Sequence, residues 1–155
     1  MKKLLFVMMF MLTCQATSAQ EALELIHKYR VENKAEYLSV PHVLVSIAAM
    51  KAKDERSRKL LRQVRSVKVL SLEDCSPDVR KNFVQGMSEL TSKGYEEYIR
   101  VKDEGDTVLV LMKENGRHVG EIVILTTDEE DCVALLVSGK INRADIGNII
   151  NVVGD

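Results

Sequence analysis

The chain is poor in the residues from which catalytic and metal centres are usually built. Its three histidines, His27, His42 and His118, lie far apart, and none belongs to an H-E-x-x-H or a histidine triad. Three cysteines occur, none in a C-x-x-C or a paired zinc pattern. There is no G-x-S-x-G around any serine, and the glycines at 116, 120 and 139 stand alone, as turn and bend residues do, rather than in a phosphate-binding loop. The acidic run Asp128–Asp131 lacks the spaced oxygens of a calcium loop and reads as a solvated turn. Excess charge is missing too: the net charge is −1 over 155 residues, which gives no global argument for nucleic acid. No catalytic, cofactor-binding or metal-binding residue is expected, and no cofactor.

Long hydrophobic runs are also absent. The longest, Leu4–Leu12, follows Lys2 and Lys3 and precedes Thr17-Ser18-Ala19, with Gln20 next. This is the order of a signal peptide, 1–19, cut after Ala19, and the run is too short to span a membrane. The remainder, 20–155, is expected to be one soluble domain. Export then places it in the periplasm or cell envelope, or outside the cell. Cys14 opens a second route, a lipid anchor on that cysteine, although Met11-Leu12-Thr13 does not supply the small residue expected before it. Without Met1–Ala19 the chain keeps 20 basic and 23 acidic residues.

What the sequence does contain is strand pattern. Thr107–Lys113, His118–Thr126 and Cys132–Ser138 are apolar runs of strand length separated by short polar connections. Asn115-Gly116 predicts a type I′ turn between the first two, with positive φ at both residues. Alternation puts Val119, Glu121, Val123 and Leu125 on one face, and Gly120, Ile122 and Ile124 on the other. Val67–Leu72 and Tyr95–Lys102 are further strands, and Tyr37–Val40 is a short edge element.

Helical spacing marks the rest. Glu21–Tyr29 offers Leu23, Ile26 and Tyr29; the segment from Pro41 offers Leu44, Ile47 and Ala48; Leu60, Leu61 and Val64 suggest a further turn or two. The strongest helix follows Ser76 and Pro77, an N-cap and a first-turn proline, and aligns Val79, Phe83, Met87 and Leu90 before Gly94. Asn142 caps a terminal helix with Asp145 in a capping-box position and Ile146, Ile149, Ile150 and Val153 on its buried side. The expected fold is α+β: an antiparallel sheet with a meander and a split β-α-β element, its helices packed mainly on one face.

Two features bear on function. Lys51–Lys68 carries eight basic residues against two acidic ones, and a helix there would turn Arg56, Arg58, Lys59, Arg62 and Arg65 outward as a possible partner surface. Cys75 and Cys132 remain after signal removal, as a disulfide or as free thiols. In the order of its elements after Gln20, with Tyr37-Leu38-Ser39-Val40, Val67–Leu72, Tyr98–Val101, Thr107–Lys113 and Leu136–Ile141, the chain resembles the DUF4252 group. These are small exported proteins of Bacteroides-type bacteria, lipoproteins among them. The resemblance implies an envelope location and an α+β domain; no catalytic residues are carried over. The leading expectation is a non-enzymatic exported domain binding a protein or an anionic envelope component. The alternatives are a small hydrolase using carboxylates such as Glu121 or Glu96, and a purely structural envelope component.

Overall fold

The computed structural model describes residues 21–154, with side chains to residue 151. The signal-peptide reading of 1–19, Cys14 and the burial of Val153 lie outside the described residues. Helix α1 (Glu21–Asn33) leads to strand β1 (Glu36–Val40), helices α2 (His42–Lys51) and α3 (Glu55–Gln63), strand β2 (Val64–Ser71) and helix α4 (Pro77–Ser88). A 3-10 turn (Glu89–Lys93) then opens the run β3 (Glu96–Asp103), β4 (Asp106–Asn115), β5 (His118–Thr127) and β6 (Cys132–Ile141). A short 3-10 turn (Arg143–Asp145) starts α5 (Ile146–Gly154).

All six strands form one sheet in the order β1-β2-β6-β5-β4-β3, and every neighbouring pair is antiparallel. Alternating directions make β2 and β3 parallel, and α4 connects them. This is the expected split β-α-β, with the three strands β6, β5 and β4 lying between its parallel arms. The meander is longer than expected because β3 joins it.

Helices cover both faces of the sheet rather than mainly one. Ala22, Ile26 and Tyr29 of α1 and Phe83 and Met87 of α4 pack on Leu70, Leu109, Leu111, Val123, Leu125 and Leu136. On the opposite face Val45 of α2, Leu60 of α3 and Ile146 and Ile149 of α5 pack on Val110, Met112, Ile122, Ile124 and Val137. The reason lies in the strands: each central strand is apolar at successive positions, so each face needs a cover. Among the described residues no helix is long and apolar enough to cross a membrane.

The helix after Ser76 forms as its sequence dictates. The Ser76 hydroxyl accepts a hydrogen bond from the Val79 amide (3.4 Å), and Phe83, Met87 and Leu90 are buried. Its Phe83 ring meets Tyr29 edge-on at 4.9 Å. Helix α2 differs from expectation. It buries Val45 and Ala49, and leaves Leu44 and Ile47 in solvent. The Asn-Gly turn is displaced by one residue: Asn115 pairs with His118, so Gly116 and Arg117 form the loop. Gly116 alone has positive φ (67°), which matches the type II′ pattern instead of type I′.

Bulges cross the sheet at one level. Arg65 is the extra residue in β2, Gly120 in β5, and Gly139-Lys140 in β6. The bulge at Gly120 also corrects the expected facing of β5. Val119 joins Ile122 and Ile124 in one cluster, while Val123 and Leu125 join the other.

Candidate binding groove

On the face covered by α1 and α4, three cross-strand rows can be read from the register. Leu70, Ala134, Leu125 and Leu109 form a wholly apolar row. Lys68, Leu136, Val123 and Leu111 form the next, with a cation at its β2 end. The third is Ser66, Ser138, Glu121 and Lys113, which is polar throughout. Adjacent cross-strand positions bring side chains into contact, so the sheet surface passes from core to polar floor within two rows.

That floor opens into a groove of about 970 Å³. Its walls are the first turn of α1 at Leu23, the start of α2 at His42, the α3–β2 junction from Arg62 to Ser66, and the β4–β5 hairpin at Glu114 and Asn115. The three bulged strands supply Arg65, Gly120, Gly139 and Lys140. Among the described residues, five cations (Arg62, Arg65, Lys68, Lys113 and Lys140) face it against two carboxylates, Glu114 and Glu121. Lys68 and Lys113 are half-buried, and the Lys68 ammonium donates to the Ser66 hydroxyl at 3.3 Å.

Tyr95 braces the far end. Its hydroxyl donates to Glu121 Oε2 and accepts from the Ala22 amide at 3.3 Å. The Lys113 ammonium stands 5.0 Å above its ring centroid. Burial raises the phenol's pKa, and the Glu121 carboxylate raises it further by hydrogen bond and charge. Glu121 is thereby fixed in orientation, with Lys113 as its cross-strand partner.

The predicted basic surface divides. Arg62 and Arg65 line the groove, and Lys59 is exposed on α3. Arg56 donates to Asn148 on α5, and Arg58 donates to the Ala52 carbonyl at 3.1 Å. Those two hold elements together. Lys68, Lys113 and Lys140 join the groove from β2, β4 and β6, and reasoning from the basic segment alone missed the last two. The signal for them was the strand register, which single-sequence periodicity does not give.

Glu121 and Glu96 do not converge. Glu96 pairs with Met112, whose side chain belongs to the α5 face, whereas Glu121 belongs to the α1 face. Glu96 is held with Glu114 by Arg143. Cys75 and Cys132 are both free thiols in the structure. Cys75 Sγ is directed at the Asn33 carbonyl (3.7 Å), and Cys132 is fully enclosed in the core. The acidic turn is tied down: Asp128 Oδ1 accepts from the Glu130 and Asp131 amides, and Arg80 donates to the Glu129 and Glu130 carbonyls. Among the described residues there is no group of three His, Cys, Asp or Glu side chains placed to hold a metal.

No curated protein and no solved structure matches the chain. Residues 29–149 match the model of the family described as a domain of unknown function (DUF4252), and the chain belongs to that family.

Proposed function

We propose that this protein is an exported envelope or secreted domain that works by binding, and that its partner is a protein or envelope component presenting an anionic group to the groove. The observation that carries the reading is the polar row Ser66–Ser138–Glu121–Lys113. It breaks a largely apolar sheet face where, among the described residues, five cations gather around two carboxylates. Half-buried lysines lose part of their hydration, and a negative charge in the groove offsets that loss. Serine hydroxyls and the braced Glu121 carboxylate add directional contacts. Binding fits better than hydrolysis because the two carboxylates considered for catalysis are on opposite sides of the sheet.

The test is retention of lipid-free, detergent-extracted host envelope material by the folded protein, at low and at physiological salt. The comparison protein carries Arg65→Gln, Lys68→Gln and Lys113→Gln. Retention by the native chain that weakens with salt, and is lost in the variant, is the expected result. Equal retention by both proteins at both salts sinks the groove. Export rests on Lys2–Ala19 and has its own test, mass spectrometry of the protein from its native host. Gln20 at the N-terminus is expected, a lipidated Cys14 selects the other route, and a retained Met1 refutes export.

A further inference from the structure

Helix α2 is apolar on two sides. Val45 and Ala49 pack into the protein, while Val43 (67% exposed), Leu44 (53%), Ile47 (38%) and Met50 (72%) face outward. Val43, Ile47 and Met50 recur at helical spacing, so the four residues form one continuous stripe rather than scattered exposures. The helix contains no acidic residue, and it ends at Lys51 with Lys53 just beyond. Lys51 and Lys53 are exposed, as is Lys59 on the adjoining α3. Of the two acids in this segment, Asp54 is engaged as the α3 cap, accepting from the Ser57 amide at 2.6 Å.

We propose that the outer stripe of α2 docks on an anionic lipid surface. Exposed apolar residues beside exposed lysines can sink between headgroups while the cations meet lipid phosphates. Charge selects this occupant over a second copy of the chain. Pairing two α2 stripes would bring together the exposed Lys51, Lys53 and Lys59 of both copies, and an anionic surface is attracted to those same lysines. The groove takes His42 from the head of α2, and the four stripe residues lie outside its lining.

Co-sedimentation of the full chain with vesicles of phosphatidylethanolamine and phosphatidylglycerol, against phosphatidylcholine alone, tests the proposal. Native protein and variants share the same N-terminal segment, so a difference between them belongs to α2. Leu44→Ser with Met50→Ser is expected to weaken binding to the anionic vesicles about tenfold or more. Lys51→Gln with Lys53→Gln is expected to weaken it and to reduce its salt dependence. Because all four positions are exposed, circular dichroism should show native folding; if the apolar variant fails that check, the lysine variant alone decides. Equal sedimentation of native and variant proteins overturns the proposal. So does a concentration-dependent dimer, or capture of an acidic soluble protein, that the Leu44/Met50 variant abolishes while vesicle binding stays unchanged. Retention of lipid-free envelope extract reads the groove separately, so either surface can fail without the other.

Discussion

The backbone of Gly139 lies directly beneath the carbonyl of Gln63: a Cβ at residue 139 would stand 2.1 Å from that oxygen. The contact joins the last turn of α3 to the bulge of β6, at the edge of the groove. Gln63 reinforces the junction with its side chain. Its Oε1 accepts from the Asn142 amide at 2.7 Å, and its Nε2 donates to Asp145 at 3.0 Å. The capping box expected between Asn142 and Asp145 is therefore bridged by a residue from another helix.

Gly139→Ala should destabilise the protein by about 1–3 kcal/mol, since the obstructing atom is backbone and cannot rotate away. Chemical denaturation measures it. An unchanged midpoint would contradict this close approach of strand and helix.

Phe83→Ala should cost about 3–5 kcal/mol, because the ring is completely enclosed and packs edge-on against Tyr29. A change within about 0.5 kcal/mol would show that the α4 stripe is not core.

Tyr95→Phe should cost about 1–3 kcal/mol by leaving the Ala22 amide and the Glu121 carboxylate without their shared hydroxyl. A double-mutant cycle with Glu121→Gln should give a coupling of about 0.5 kcal/mol or more. Simple additivity would separate the two residues.

Stability should fall in alkali. Burial, with a smaller contribution from Asp131, pushes the Cys132 thiol from 9.0 up to about 11. The unfolded chain therefore loses this proton at a lower pH than the folded one. The stabilisation is complete below pH 9 and declines toward pH 11 by at most about 1.4 kcal/mol per pH unit. Tyr95, raised in the same direction, extends the decline. Urea midpoints across this range measure the slope, and Cys132→Ala should flatten it. An equally steep slope in that variant would remove Cys132 as the cause.

Local chemistry was legible in the sequence and register was not. Ser76, Pro77 and the Phe83 stripe announce α4 because cap, proline and periodicity act within one turn or two. The strands were visible for the same reason. Leu44 and Ile47 misled because α2 is apolar all round, so periodicity could not say which side meets the sheet. Asn115-Gly116 signalled a hairpin, but the loop falls one residue later, and the bulge at Gly120 turns Val119 to the other face. The groove was the least legible part. Ser66, Lys113, Glu121 and Ser138 become neighbours only after four strands are aligned, and no short window contains that alignment.

The strand order has a consequence for how the molecule is made. β2 belongs to the first half of the chain, yet its inner partner is β6, which ends at Ile141. Until β6 arrives, the β1–β2 pair and the β3–β4–β5 meander are two separate ribbons, each with an open edge and at least one bare apolar face. Closing them requires contacts between residues 64–71 and 133–139, the long-range kind that forms slowly. A chain whose last strand joins its two ribbons stays incompletely folded until almost all of it has been synthesised.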